Sequence, residues 1–549
     1  MKKQLRISFI LLLFSFILFS QENSNFSLGF ESNSQYYVDD SKTGDFTLSE
    51  PFRANNYLKI DYTFGDFYSG LQVESYAPLA LLNYSPKLKN TTIALYHIGY
   101  KSEKLDITAG YFYEQFGSGL ILRFWEDRQL GVNNALRGGR LKYNPTNYIY
   151  LTALYGKQRV GFKVSNGEIF GFNSDIDLSS AFNLGNTALL FGFSYVGRKE
   201  KSTITLPAFN DLTNAFSTRL DYSKNNFYSS LEYVLKENDA VFIANKIRSV
   251  KSGNSFLLNL GYGKKGIGID VTFRRMENMS FFSNRAATGN IYNESIINYL
   301  PALTKQHDYL LTNIYVYQAQ PQIAFQDPTL VKFGEIGGQI DLFYKFKRKT
   351  TLGGKYGTKI AINTSYWSGL KGNFDFSNFD YSADFLAFGE KYFSETSLEV
   401  RKKWSTKWNS IFYYVNQSYN KRYVEETFGK VNSNIIVAEA TYKLGGGKSL
   451  RIETQHLWTK NDKKNWIGGT LEINLNQKIA FYVNDIYNYE NESISERIHY
   501  YNIGGSYTKG ASRFALNYGR QRGGLLCVGG VCRYVPESTG ISANIIMSF

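Results

Sequence analysis

The last ten residues, "GISANIIMSF" (Gly540 to Phe549), decide the fold class of this sequence. Every second residue of this stretch is apolar, namely Ile541, Ala543, Ile545, Met547 and Phe549. The residues between them are polar apart from Ile546. A period of two is the pattern of a β-strand with one apolar face. Because chain ends of soluble proteins usually fray, we expect this strand to be held by neighbours, as the closing strand of a barrel is.

The same alternation recurs along the chain, interrupted by tight turns. Residues 57–64 and 67–74 alternate apolar and polar side chains on either side of Gly65-Asp66, and similar units run to Lys509-Gly510. About eleven such turns predict about 24 strands, with a range of about 20 to 26. The 43 Tyr, the 42 Phe and a mean hydropathy of −0.31 suit a wall whose lipid-facing and water-facing residues alternate.

A soluble β-sandwich or a solenoid is the alternative to a membrane barrel. A sandwich seldom has this many hairpins in one domain, and a solenoid would show a fixed repeat length, which the sequence lacks. We therefore predict an all-β fold consisting of one large transmembrane antiparallel β-barrel. The terminal strand is expected to pair with the first one, near residues 25–37, so that the sheet has no free edge.

The N-terminus predicts export. Lys2, Lys3 and Arg6 precede a short apolar run at 8–19, and Ser20 is a small residue at a cleavage position. Since the run is short for a membrane anchor, residues 1–20 are interpreted as a signal peptide and 21–549 as the barrel. The expected location is the outer membrane of a Gram-negative cell, with both termini periplasmic because the strand number is even.

Cys527 and Cys532 are predicted to form a disulfide. Gly529-Gly530 can form a two-residue hairpin turn, which would place the cysteines opposite each other in an exported chain. A metal pair or a redox centre is the alternative, but the chain has no other cysteine and the spacing is not C-x-x-C. The small ring would stiffen a loop tip on the outer side rather than stabilise the fold.

Two segments break the strand pattern. Residues 279–335 contain Pro301, Pro321 and Pro328, and long connections of this kind are usually functional; we expect this one to constrict the lumen. Residues 117–140 contain a candidate basic cluster, which is either a solvated outer loop with weak ion pairs or part of the pore lining. The cluster consists of Arg123, Arg128, Arg137 and Arg140.

The sequence does not predict an enzyme. The four histidines, His97, His307, His456 and His499, are scattered, and no nucleophile motif, phosphate loop or metal-ligand spacing accompanies them. We therefore expect no catalytic residues, no cofactor and no metal. The net charge of +15 is attributed to contact with anionic lipid headgroups rather than to nucleic-acid binding, which export disfavours.

Three stretches carry a resemblance to a known family. "FGSGLILRFWEDRQLGVNNALRGGR" (116–140), "GGKYGTKIAINTSYW" (353–367) and "GRQRGGLLCVGGVCRYVP" (519–536) together resemble an uncharacterised family of outer-membrane barrel proteins of the Bacteroidota. The resemblance implies the barrel and its location but no activity. The terminal strand also resembles the β-signal by which the barrel-assembly machinery recognises its clients.

Two functions remain open from the sequence. The first is a constricted or gated diffusion channel for small solutes, which inward-facing arginines would bias toward anions. The second is a non-conducting structural or docking barrel in a larger outer-membrane assembly. An open barrel of about 24 strands would leak, since wide barrels are usually plugged, and residues 279–335 are the best internal candidate for a plug. The sequence identifies no solute and no protein partner.

Overall fold

Twenty-four antiparallel strands form one closed barrel in the computed structural model of the chain. The structure describes residues 24–43, 50–201, 210–243, 246–285, 287, 292–319, 334–375, 380–427 and 429–549. The predicted signal peptide, residues 1–20, lies outside the described residues. The barrel strands, numbered in chain order, are β1 Ser24–Val38, β2 Phe52–Phe64, β3 Phe67–Tyr76, β4 Asn90–Lys101, β5 Leu105–Phe112, β6 Leu136–Tyr143, β7 Ile149–Val160, β8 Lys163–Asp177, β9 Thr187–Lys199, β10 Leu212–Lys224, β11 Phe227–Ile243, β12 Lys246–Lys264, β13 Ile267–Glu277, β14 Gly334–Lys345, β15 Thr358–Asp375, β16 Asp380–Lys403, β17 Trp408–Asn420, β18 Lys430–Gly445, β19 Lys448–Thr459, β20 Trp466–Asn474, β21 Ile479–Tyr487, β22 His499–Lys509, β23 Ser512–Gln521 and β24 Ser538–Ser548.

The first and last strands close the barrel. β24 pairs with β23 on one side and with β1 on the other, where Val38 lies opposite Thr539 and Gly29 opposite Ser548. Phe549 continues the ladder by one residue: its N–H donates to the carbonyl of Leu28 at 2.9 Å, and its carbonyl accepts from the N–H of Leu28 at 3.1 Å. The predicted pairing of residues 540–549 with the first strand is therefore confirmed.

The two ends of the barrel differ in their connections. Twenty-four strands joined in chain order have eleven connections at the end that carries both termini, and many are tight turns such as the one at Gly65, whose φ is 56°. The opposite end carries the long connections. The predicted barrel class and strand number are both confirmed, while the periplasmic position of the termini stays a prediction.

The outer surface has the features of a membrane-facing wall. Exposed aromatic residues form two levels, with Phe64 and Trp408 near the terminal end and Phe52 and Trp458 near the opposite end. Phe52 and Phe64 are the two ends of β2, so about 3.3 Å per residue and a strand tilt of about 40° separate the levels by about 30 Å. Membrane barrels carry aromatic girdles on both sides of an apolar band of similar height.

The elements outside the wall are short. Among the described residues, the α-helices Leu178–Phe182 and Lys421–Glu425 and the 3-10 turns Leu311–Asn313 and Ile494–Glu496 lie in connections. No helix among the described residues is both long and apolar enough to cross a membrane. Three small hairpins lie in two of the long connections: Glu114–Phe116 pairs with Leu122–Phe124, Glu126–Asp127 with Val132–Asn133, and Gly524–Val528 with Val531–Val535.

Candidate functional site

Three insertions from the end opposite the termini fold back into the barrel. They are residues 113–135 between β5 and β6, the described residues 278–319 between β13 and β14, and residues 522–537 between β23 and β24. We call these three insertions together the plug. Their apolar side chains pack against inward-facing residues of the wall. Constriction of the lumen by residues 279–335 stays a prediction. Pro321 and Pro328 of that predicted segment lie outside the described residues.

The first half of the long insertion is fixed to one side of the wall. Phe281, Ile297 and Leu300 are almost fully buried in a cluster with inward-facing residues of β7 to β13. Charged groups of the wall add hydrogen bonds to the plug backbone. The Lys236 ammonium donates to the carbonyl of Ser280 at 2.7 Å, and the Arg198 guanidinium donates to the carbonyl of Phe282 at 2.9 Å.

The second half of the long insertion contacts the other side of the wall. The ring of Tyr317 stacks on the inward-facing rings of Trp367 and Phe393, with centroids 6.2 and 5.3 Å away. Its hydroxyl donates to Glu335 at 2.6 Å, and Glu335 also accepts from Arg274 at 2.6 Å. Burial, together with the charge of Glu335, raises the pKa of Tyr317 well above its ordinary value, so Tyr317 remains a donor at physiological pH.

A histidine that the sequence did not assign to any site lies in the same half. The Nε2 atom of His307 is 2.7 Å from a carboxylate oxygen of Glu395, and its Nδ1 atom is 2.6 Å from the hydroxyl of Tyr413. The side chains of His307 and Glu395 are 4% and 2% exposed. This contact joins the plug to β16 and β17 inside the barrel.

The three insertions are also bonded to one another. The N–H of Arg123 donates to the carbonyl of Ile297 at 2.8 Å, and the N–H of Tyr299 donates to the carbonyl of Gly119 at 2.9 Å. The N–H of Ala302 donates to the carbonyl of Gly530 at 2.7 Å. The plug is therefore one connected body made of distant parts of the sequence.

The four arginines of the predicted basic cluster are not gathered around one opening. The guanidinium of Arg123 lies 3.9 Å from the ring centroid of Tyr299. Arg128 pairs with Glu31 at 2.6 Å and Glu126 at 3.2 Å. Arg140 pairs with two further carboxylates, those of Asp106 and Glu114, both at 3.3 Å. Arg137 is exposed and, by strand alternation, lies on the outward face of β6 with Leu141 and Tyr143.

The disulfide between Cys527 and Cys532 is present, and the two residues lie directly opposite each other in the hairpin. The hairpin is not a free loop tip, however, and that part of the expectation is wrong. Val531, Cys532 and Val535 are buried, because the hairpin turns inward and its tip bonds to Ala302. Its distance from the cell surface stays a prediction.

The apolar residues of the proposed β-signal lie on the outer face of β24. Ile541, Ala543 and Ile545 are opposite Tyr518, Leu516 and Phe514, and these three partners are 41%, 60% and 40% exposed. Phe549 is 73% exposed at the terminal end. The structure thus shows the closing role of the strand, while its recognition during assembly stays a prediction.

A polar cavity of about 670 Å³ lies between the second half of the plug and the wall. Its lining includes charged residues of both, namely Lys305, His307, Asp308, Glu395, Arg520 and Arg522. Arg522 donates to the carbonyl of Asn313 at 2.8 Å, and burial lowers the pKa of its guanidinium. A polar solute in this cavity would find both charged and hydrogen-bonding groups.

Sequence reasoning missed the inward-facing side chains against which the plug packs. Val196, Trp367, Val415 and Leu457 are fully buried, although they occupy the face of the wall that elsewhere carries polar groups. The sequence contained a signal for these contacts, namely apolar residues on the otherwise polar face of predicted strands. Apolar side chains are unfavourable where the lumen is filled with water, so their presence indicates that another part of the chain covers them.

The fold and the plug together define a large β-barrel of the outer-membrane type with an occupied lumen. The chain belongs to a family of unknown function, DUF6029, whose sequence profile matches residues 1–549. No curated protein matches the chain.

Solved structures with a similar fold are outer-membrane barrels of low sequence identity. The translocation pore of the P pilus usher PapC has a TM-score of 0.43 and 7% identity, with 95% of this chain and 99% of that chain covered. The siderophore receptor PirA of Pseudomonas aeruginosa has a TM-score of 0.41 and 7% identity, with 95% and 80% covered. A BenF-like porin of Pseudomonas fluorescens Pf-5 has a TM-score of 0.35 and 9% identity, with 82% and 96% covered.

Proposed function

We propose that the protein is a channel of the outer membrane whose pore is constricted by the plug. The observation that carries this proposal is the polar cavity between the plug and the wall, bounded by Lys305, Asp308 and Arg522. A barrel of 24 strands encloses a lumen wide enough to need an obstruction. The plug supplies it and leaves a polar space on one side, along which small solutes can pass.

The proposal includes the finer features expected from the sequence. The chain is exported by a signal peptide at 1–20, inserted by the barrel-assembly machinery of a Gram-negative cell of the Bacteroidota, and oriented with both termini in the periplasm. Its role is transport rather than catalysis. Arg128 and Arg140 are paired with carboxylates and do not line the cavity beside the plug. Any preference of the channel for anions therefore rests on Lys305 and Arg522 at that cavity and is expected to be small.

Removal of the long insertion tests the constriction. Glu277 and Gly334 lie opposite each other at the ends of β13 and β14, so a short Gly-Ser turn can replace residues 278–333 without straining the wall. Single-channel conductance in planar bilayers is expected to rise by roughly several-fold, because the deletion widens the water-filled lumen. The matched control shortens the connection 346–357, which lies at the terminal end between β14 and β15 and does not enter the plug.

The result also separates the two functions that the sequence left open. A large rise in the deletion variant, with no change in the control, supports a constricted channel. Negligible conductance in both the wild type and a correctly folded deletion variant contradicts it and favours the docking barrel. Folding of each variant is checked by the heat-dependent shift of its mobility in electrophoresis.

A further inference from the structure

The wall of the barrel contains one weak seam. β4 and β5 share only five paired positions, from His97 opposite Gly110 to Lys101 opposite Asp106, the fewest of any neighbouring pair among the described barrel strands. On its other side β4 is paired with β3 from Asn90 to Tyr100, with one register shift at Ala94. Residues 90–96 of β4 and residues 111–112 of β5 are not paired with each other. We call the gap between these two segments the notch.

Gly110 marks the point where the two strands separate. Its φ is 112°, which favours glycine, and a Cβ atom there would lie 2.3 Å from the carbonyl oxygen of Tyr96. Side chains rather than backbone hydrogen bonds cover the notch. Leu95 and Tyr111 are 8% exposed and cluster with Ala94 and Ala135, and the rings of Tyr96 and Tyr111 meet edge to face at 5.5 Å.

A cavity of about 430 Å³ lies directly behind the notch. Its apolar part is formed by Leu95, Tyr111 and Phe112, and its polar part includes His97 and Arg140. On the membrane side the notch is flanked by strongly exposed apolar residues, Ile93 at 55% and Ile98 at 61%. The cavity therefore lies between a part of the wall that faces lipid and charged groups in the lumen.

Two donors in this cavity lack partners within the described chain. The Nε atom of Arg140 is buried and has no hydrogen bond, although the terminal nitrogens of the same side chain are paired with carboxylates. The ring of His97 forms no hydrogen bond among the described residues, and it faces the same cavity. A buried donor such as the Nε atom of Arg140 is costly when it remains unsatisfied, whereas the ring of His97 is half-buried.

We propose that the notch is a lateral binding site for a single-chain amphiphile with a carboxylate head, drawn from the membrane. The hydrocarbon chain lies between Leu95 and Tyr111, and the carboxylate accepts hydrogen bonds from Arg140 and His97. Tyr111 covers the entrance. The cavity has the size of a small-molecule site and the usual combination of apolar walls with a few polar groups. This inference does not depend on whether the lumen conducts.

Photolabelling of the full-length protein in vesicles tests the site. The probe is a long-chain fatty acid with a diazirine at mid-chain, and the labelled residues are located by mass spectrometry. Labelling is expected at Leu95, Tyr111 and Phe112, well above that of Tyr366, which is 42% exposed on a distant part of the wall. His97→Ala and Arg140→Gln should each reduce labelling at the notch about tenfold, the effect of losing a charge-assisted hydrogen bond.

The same experiment contains the outcomes that would overturn the proposal. Equal labelling of the notch and of Tyr366 in the wild-type protein would mean that the probe reports only general lipid contact, and this comparison needs no variant to fold. Equal labelling by the fatty acid and by the corresponding long-chain alcohol would exclude recognition of the carboxylate. Unchanged labelling in Tyr366→Ala, together with a loss at the notch in folded His97→Ala, supports the site.

Discussion

The wall and the plug are built by different kinds of interaction. In the wall, each strand bonds to its neighbours through a repeating backbone ladder, and its side chains alternate between lipid and lumen. In the plug, single contacts join residues far apart in the chain, such as the N–H of Ala302 and the carbonyl of Gly530. The difference implies that a change that breaks the strand ladder affects the whole barrel, whereas a change in a contact between the plug and the wall can release one insertion and leave the barrel closed.

Ion pairs show the same contrast. On the wall, Arg401 pairs with Glu399 at 2.5 Å, but the arginine side chain is 55% exposed, so the pair contributes little. Where the plug meets the wall, Asp239 is 5% exposed and pairs with Arg198 at 2.8 Å, with Arg285 of the plug at 3.5 Å and with Lys236 at 3.8 Å. Three buried cations around one carboxylate make Asp239 a sensitive point.

The largest expected effect is on the wall, at the closing strand. Phe549→Asp places a charge in the aromatic level of the terminal end, at the residue whose backbone pairs with Leu28. The thermodynamic cost of a charge near the membrane interface is only about 0–1 kcal/mol. We nevertheless expect a severe loss of folded barrel in the outer membrane, because assembly is predicted to depend on this residue; heat-modifiable mobility of the membrane fraction measures it.

Tyr507→Asp is the matched control for that prediction. Tyr507 lies at the same end of the barrel on β22, two strands away from β24, and is 41% exposed. Its replacement by Asp therefore places the same charge in the same aromatic level. Normal folding of the Tyr507→Asp control and loss of the Phe549→Asp variant indicate recognition of the terminal strand. Equal levels of folded protein in the two variants would contradict a β-signal.

The contrast also explains which parts of the structure the sequence could predict. Strand alternation and the turn at Gly65-Asp66 are local patterns, and the number of such turns predicted the strand number. The pairing of β1 with β24 followed from the need to remove free edges. The partners of the plug did not follow, since neither the contact of Arg198 with Phe282 nor that of His307 with Glu395 leaves a local pattern.

The arginines illustrate the same limit. Their proximity in residues 117–140 suggested a cluster, but Arg137 and Arg140 lie on opposite faces of one strand, and Arg123 precedes the small hairpin Glu126–Asn133. The position of the 522–537 insertion was equally hidden. Its cysteine hairpin was recognisable, but a hairpin turned into the lumen and one standing outside have the same sequence pattern.

An intermediate effect is expected where the plug meets the wall. Asp239→Ala leaves Arg198, Lys236 and Arg285 buried around an absent carboxylate, and removing one partner of a buried ion pair costs about 3–5 kcal/mol. Since the plug can leave the wall, we expect the exposed form of residues 279–285 to become at least about a hundredfold more populated. Tryptic cleavage after Arg285, which is 4% exposed, measures this population in the folded protein.

Glu399→Ala provides the control for the buried pair. Its partner Arg401 is largely in water, so the loss should be about 0–1 kcal/mol, and cleavage after Arg285 should stay at the wild-type rate. Both variants should keep heat-modifiable mobility, because neither change touches the strand ladder. Loss of the folded barrel in Asp239→Ala would show that the plug and the wall fold as one unit, and the contrast between them would then be wrong.

The smallest effect is expected from the disulfide. Cys527 and Cys532 are already opposite each other in a backbone-paired hairpin, and the covalent ring is short, so the bond adds at most about 2 kcal/mol through the entropy of the unfolded chain. In the double variant Cys527→Ser with Cys532→Ser, the barrel should fold normally. Cleavage after Arg285 should not change, because the backbone of the hairpin bonds to Ala302, which lies outside residues 279–285. Intact-mass analysis of the wild-type protein should show a gain of two hydrogens only after reduction, and a free thiol without reductant would contradict the bond.

A small rise in conductance in the double variant is the expected sign that the hairpin at Gly530 helps to hold the second half of the plug beside the cavity. A large loss of folded protein would instead mean that this insertion supports the wall, which its contacts do not suggest.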